Sequence, residues 1–235
     1  MSIASDLIAS LVRGYHFNEG SGINATNFAT GGGYPATLTA SDIWVAPGKL
    51  GAAAIQGDGG AGGGNVVASD SNLPLGTDPS SIAVWFKCTT DNIFWTICGY
   101  GTQDLYQYRG FAIGYIYGSP GQVWASNWGT DSIALGSGYN DGNWHLAVGL
   151  YTDTYVAISL DNADFVSLVG PTNTPTGELS ICKGPFGVEP VTVDEMLVFN
   201  RVITQDEVAY LWNGGAGREL TSGKTRFPLP CRLPL

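Results

Sequence analysis

Charge is scarce in this chain. Only 13% of its 235 residues are charged, and ten basic residues face twenty acidic ones, for a formal charge of −10. Nucleic-acid affinity comes mainly from Lys and Arg neutralising phosphates, so neither a nucleic-acid partner nor an anionic membrane is expected. Histidine numbers two and cysteine four. Cys88, Cys98, Cys182 and Cys231 show no C-x-x-C spacing and no nearby His, which argues against a zinc finger or a redox motif. Buried free thiols and a Cys88–Cys98 disulfide are the two readings left for them.

Long apolar runs are missing too. None approaches the ~20 residues that cross a bilayer. The opening MSIASDLIASLVRGY has no basic residue before its apolar stretch, so no export leader is expected. Catalytic signatures are equally thin: there is no G-x-S-x-G and no complete phosphate-binding G-x-x-x-x-G-K-[ST]. The run GDGGAGGG, residues 57–64, contains a literal G-x-G-x-x-G, but NVVASDS follows it rather than a helix, so it reads as a loop. Glycoside hydrolysis needs two carboxylates about 5–10 Å apart, as E-x-D-x-x-E on one strand would give, and that pattern is absent. Glu189, Asp194 and Glu195 come nearest, with Asp194 and Glu195 expected on opposite faces of one strand.

What the chain has is apolar material and punctuation. It is 44% hydrophobic and 11% aromatic, enough for a sizeable core, and its 34 glycines and 12 prolines suit many short strands joined by tight turns. Trp144, Leu146, Val148 and Leu150 alternate along one segment, and Val156, Ile158 and Leu160 alternate along another a few residues on, with Thr152–Thr154 as a hairpin between. Further strands are read over Ile82–Phe86, Phe94–Cys98, Phe111–Tyr117 and Val191–Phe199. One helix is expected, beginning at Thr204, where Glu207 completes a capping box, and ending near Asn213 and Gly214. It closes one end of the sandwich with Val208, Leu211 and Trp212.

Residues 1–220 are therefore read as one all-β domain, an antiparallel β-sandwich with one short C-terminal helix. Residues 221–235 form a Pro-rich basic tail, holding three of the ten basic residues and none of the acidic ones. A floppy terminus and an arm that docks on an acidic neighbour are its two readings.

Four segments carry a family resemblance. FNEGSG (Phe17–Gly22), KLGAAAIQGDG (Lys49–Gly59), DGNWHLAVGLY (Asp141–Tyr151) and VDEMLVFNRVITQDEVAYLW (Val193–Trp212) resemble, in order and spacing, segments of laminin-G-like, concanavalin A-like lectin and glucanase domains. The departures are Gln56, where the family usually has Asp, and the tail. The resemblance implies a two-sheet antiparallel jelly-roll β-sandwich, one sheet curved into a concave face, with loops that bind sugars or proteins in relatives. It also implies one structural calcium ion between the N-terminal turn and the closing strand. Asp194 is the candidate ligand with Asn18 or Glu19 opposite, beside the reading in which Asp194 accepts backbone N–H groups and no metal.

For ligand recognition the richest stretch is Trp95–Trp128. Tyr106, Tyr108, Arg109, Trp124 and Trp128 are the candidates, because rings stack on sugars while polar groups fix their hydroxyls. Tyr115 and Tyr117 read as core, with Phe111 and Ile113. His145 reads as a satisfied structural residue ahead of a catalytic base, and His16 has no nucleophile pattern around it.

A lectin-like sandwich without an export leader is resolved by particles that assemble inside a host and act outside it. The expectation is a non-catalytic binding or assembly protein: a phage virion surface component, a capsid decoration or tail appendage, within an oligomer or larger assembly. Its partners would be other virion proteins or a cell-surface glycan. The alternative is an extracellular carbohydrate-binding module of a cell-surface or secreted protein, with a glycoside hydrolase behind both.

Overall fold

The computed structural model describes all residues except 1, 31, 41–42, 58–64, 90–94, 103–107, 117–118, 127–132, 171, 185–186, 189–190 and 222–235, with side chains for all of these but 95, 108, 112–116, 119, 126, 133–134, 184 and 187–188. The chain opens with a helix, α1 (Ile3–Ser10), and continues as strands β1 (Leu11–Tyr15), β2 (Asn24–Ala25), β3 (Ala36–Leu38), β4 (Trp44–Val45), β5 (Ala54–Gln56), β6 (Val66–Ser69), β7 (Ser80–Lys87), β8 (Trp95–Gly101) and β9 (Tyr108–Ile116). Strands β10 (Ser119–Ser126), β11 (Ile133–Leu135), β12 (His145–Tyr151), β13 (Tyr155–Leu160), β14 (Val166–Val169), β15 (Glu178–Ile181), β16 (Lys183–Gly184), β17 (Gly187–Val188) and β18 (Thr192–Phe199) follow, and α2 (Gln205–Trp212) comes after them.

Two antiparallel eight-stranded sheets face each other. The first runs β14-β13-β12-β7-β18-β5-β4, with β1 also paired to β18; the second runs β11-β10-β9-β8-β15-β6-β3-β2, and β16 and β17 make a small separate ribbon. Between the sheets lies one core, built from alternate residues such as Ile82, Val84, Phe86, Val156 and Ile158 on the first and Val66, Tyr100, Phe111, Leu179 and Ile181 on the second.

The first sheet is buried on its outer face as well. Trp85, Leu146, Val148, Leu150, Leu197 and Phe199 pack there beneath Leu7 of α1, Val208 and Leu211 of α2, and Leu220. With both faces covered, every residue of β18 is buried, and from Met196 to Phe199 its sequence is uninterruptedly apolar rather than alternating. The two alternating sets read from β12 and β13 accordingly serve different cores, Leu146, Val148 and Leu150 the outer one and Val156, Ile158 and Leu160 the inner one.

The helix α2 begins as its capping box dictates. The Thr204 hydroxyl accepts the Glu207 N–H, and the Glu207 carboxylate accepts the Thr204 N–H at 2.8 Å. Asn213 ends it in the left-handed conformation, and Trp212 stacks on Trp85 with ring centroids 5.3 Å apart. The helix α1 was not expected. Its capping box is a reciprocal Ser2–Ser5 pair, without the Glu or Gln that usually marks one, and it serves to bury Leu7. The Thr152–Thr154 hairpin is present, with the Thr152 hydroxyl accepting the Tyr155 N–H at 2.9 Å. Cys88, Cys98 and Cys182 are buried free thiols, so the Cys88–Cys98 disulfide does not form; Cys231 and most of the tail lie outside the described residues.

Near its middle β18 carries a bulge. Asp194 pairs with Trp85 but Leu197 with Ala83, so three steps of β18 span two of β7, and Glu195 takes up the extra residue at φ 51°. Val193, Met196 and Val198 therefore all face the inner core, although their numbers differ in parity. Strict alternation along the strand would put Asp194 on the face of Met196 and Val198; the bulge instead turns it outward, toward the turn that holds Leu50.

Candidate functional site

The outer face of the second sheet is built differently from that of the first. With Ile181, Leu179, Tyr100, Phe111 and Val123 turned to the core, the alternate positions Ser180, Gly99, Gly101, Gly110, Thr96 and Trp124 fall on the outer side. Register sets Trp124 opposite Ala112, which in turn lies opposite Thr96, while Gly110, Gly99 and Ser180 form the adjacent row. Thr96, Gly99, Gly101, Gly110 and Ser180 are nonetheless buried, and Trp124 is half-buried among these small residues. Next to these rows an open cleft of about 350 Å³ is lined by Gly101, Thr102, Gly177, Glu178 and Ser180. Its rim is tied by the Gly177 N–H, which donates to Asp70, by Thr102 donating to the Thr176 carbonyl, and by a Lys183–Glu178 ion pair.

Of the residues read from sequence as ligand contacts, Trp124 stands on this face. Tyr106 and Trp128 lie outside the described residues, and Tyr108 opens β9 with its side chain outside them. Arg109 is corrected: it is completely buried and works as a clamp on the loop before β7. Its guanidinium donates to the carbonyls of Asp78 (2.8 Å), Gly76 (2.8 Å) and Pro74 (3.4 Å), to the Ser80 hydroxyl (2.8 Å) and to the Tyr100 hydroxyl (3.3 Å). Tyr115 and Tyr117 have no described side chains; Phe111 is in the core as expected.

A second cluster gathers where β1, the bulge of β18 and the segment after α2 meet. Asp194 is fully buried and accepts the N–H groups of Leu50 (2.9 Å) and Glu195 (3.0 Å), with a further bond from the Lys49 backbone. Burial pushes its pKa up to about 8, against the pull of the Leu50 N–H. Asn18 accepts the Ala52 N–H at 2.9 Å and donates to Glu219 at 3.2 Å, while Glu19 accepts the Thr26 N–H at 2.8 Å. The three residues read as calcium ligands are thus each engaged elsewhere. Asp194 looks onto N–H donors where calcium needs oxygen ligands, so this donor set does not fit the ion that the resemblance implies. His16, which sequence reasoning set aside, and Glu195, to which it gave no binding role, are adjacent here, Nδ1 to Oε2 at 2.9 Å.

His145 lies between two carboxylates. Nδ1 is 2.7 Å from Asp161 and Nε2 is 3.0 Å from Asp141, so both ring nitrogens act as donors in the charged form. Burial opposes that charge, but the bonds to Asp161 and Asp141 outweigh it and hold the pKa above its ordinary value. The group is structural, anchoring the start of β12 to the turn after β13.

By sequence the chain matches no family profile and no curated protein. By shape it is similar to solved receptor-binding domains of botulinum neurotoxins. A type C neurotoxin structure, of a toxin that enters cells in dependence on interaction with two ganglioside molecules, aligns at TM-score 0.64 and 10% identity over 89% of this chain and 52% of that one. The serotype D binding domain aligns at TM-score 0.64 and 11% identity, covering 91% and 53%. The type DC binding domain, in complex with rat synaptotagmin II, aligns at TM-score 0.62 and 11% identity, covering 88% and 52%. The chain spans about half the length of these structures. At such identities the likeness establishes the fold, a jelly-roll β-sandwich of the kind used by lectin-like binding domains.

Proposed function

We propose that this chain is a non-catalytic glycan-binding domain that takes its ligand on the outer face of the second sheet. The observation that carries the reading is Trp124, a half-buried indole on the outer side of the second sheet among glycine and small polar residues, on the same face as an open cleft. A pyranose needs an aromatic platform and nearby polar groups in that form. The neurotoxin neighbours, one described with gangliosides and one with a protein receptor, support recognition of a cell-surface molecule over catalysis.

We place this domain on a phage particle, as a capsid decoration or tail appendage assembled in the host cytoplasm. The low charge, the glycine-rich sandwich and the basic tail on an acidic body support that placement, and the tail is the segment proposed to dock on a neighbouring virion protein. The alternative is an extracellular carbohydrate-binding module.

An oligosaccharide panel tests the binding reading. Saturable binding that Trp124→Ala weakens at least tenfold, with the melting curve preserved, is the expected result; a blank panel would remove it. Purified particles carrying the protein in symmetric copy number, lost on deletion of residues 221–235, are the expected result for the virion placement. Normal attachment of the truncated protein would overturn the role of the tail.

A further inference from the structure

Away from the second sheet, His16, Glu195 and Glu219 bring an imidazole nitrogen and two carboxylates to within 4.8 Å of one another. Three distant parts of the chain supply them: the residue after β1, the bulge of β18 and the segment beyond α2. Each is held in place. The His16 ring stacks face to face on Phe28 at 3.7 Å, with Nδ1 2.9 Å from Glu195 and 3.5 Å from Glu219, and Glu219 is steadied by Asn18.

Two observations separate this cluster from an ordinary ion pair. The Glu195 side chain is only 2% exposed, yet among the described residues both of its oxygens rely on the same His16 Nδ1, at 3.0 and 2.9 Å. A carboxylate has about four acceptor sites, and burying it with one donor leaves most of them empty at a cost in free energy. Glu219 closes the far side, so two carboxylates share one imidazole nitrogen. That crowding calls for positive charge.

We propose that His16, Glu195 and Glu219 form a divalent-metal site of the zinc class, tying the end of β1 and the segment after α2 to the bulge of β18. One imidazole with two carboxylates suits a borderline metal, whereas calcium takes oxygen ligands, and Asp194 keeps its N–H partners in this arrangement. Glu219 is 39% exposed, which leaves one side of the site open to water as a fourth ligand.

Metal titration of the chelator-treated protein tests this. Zinc should raise the melting temperature, because an ion bound only by the folded chain stabilises it. Cobalt should give visible ligand-field absorption, and calcium at the same concentration should do neither. Glu219→Gln, at a partly exposed position that threatens folding little, should weaken zinc binding at least tenfold, while Asp141→Asn beside His145 should respond like the unaltered protein. The proposal is overturned if the unaltered protein responds to neither zinc nor cobalt, if calcium stabilises it equally, or if Glu219→Gln binds zinc as well as the unaltered protein does.

Discussion

Asp161 receives two donors from the start of β12, the imidazole of His145 at 2.7 Å and the backbone N–H of Leu146 at 2.9 Å. The imidazole is charged when it makes this bond together with the one to Asp141. Asp141 stays ionised far into acid, its pKa lowered to about 2, first by the Asn143 backbone N–H. Because the folded-state pKa of His145 is raised, its contribution is complete below the unfolded value of about 6.5 and is lost as pH rises through the folded value. The melting temperature of the native protein should exceed that of His145→Gln by a few degrees at pH 6, corresponding to about 1–2 kcal/mol. The gap should close as pH rises. A gap that widens with pH would refute the charged-imidazole account.

Arg109 offers a contrast between a binding and a supporting role. Five acceptors, from the loop before β7, from Ser80 of β7 and from Tyr100 of β8, converge on its guanidinium. Arg109→Met should strand those acceptors and cost about 3 kcal/mol in denaturant unfolding. Oligosaccharide affinity per folded molecule should stay unchanged.

Gly48 is fixed by what surrounds it. A Cβ there would sit 2.3 Å from the Ala53 carbonyl oxygen and 2.8 Å from Asp194 Oδ2, one a backbone atom and the other belonging to a fully buried side chain. Gly48→Ala should therefore displace the turn that supplies Leu50 N–H to Asp194, costing about 2–3 kcal/mol by calorimetry. Gly22→Ala makes the comparison: nothing lies within 4 Å of a Cβ there, so strain at φ 81° is the one cost, about 1 kcal/mol.

Strand β14 forms one edge of the first sheet, all four of its residues are exposed, and Val169 is 85% exposed. An uncharged edge of this kind invites pairing with another chain. Val169→Lys should leave the melting temperature within about 2 °C. Light scattering at high protein concentration should fall; an unchanged signal would show that β14 takes no part in association.

Much of the sandwich is legible in the chain because half-buried strands and capped helices leave periodic marks. Trp144 to Leu150 and Thr204 with Glu207 are such marks, and the structure places strand and helix there. The register of β18 is not legible. One extra residue at Glu195 exchanges the faces on either side of it, and nothing in V-D-E-M announces a left-handed glutamate. Arg109 was misread for a related reason: an arginine among tyrosines looks the same in sequence whether its acceptors belong to a ligand or to the chain's own carbonyls. The cluster at His16 needed three segments that only the tertiary fold unites, so no spacing rule could have found it.

The place of β18 also governs when the protein can finish folding. This strand lies between β7 on one side and β5 and β1 on the other, yet among the described residues it is the last strand of the sandwich to be synthesised. Until residue 199 has been synthesised, β1, β5 and β7 wait with open edges and nothing to join them, and the first sheet exists only as fragments. A nascent chain stalled before residue 192 should remain a client for chaperones rather than a smaller version of the domain.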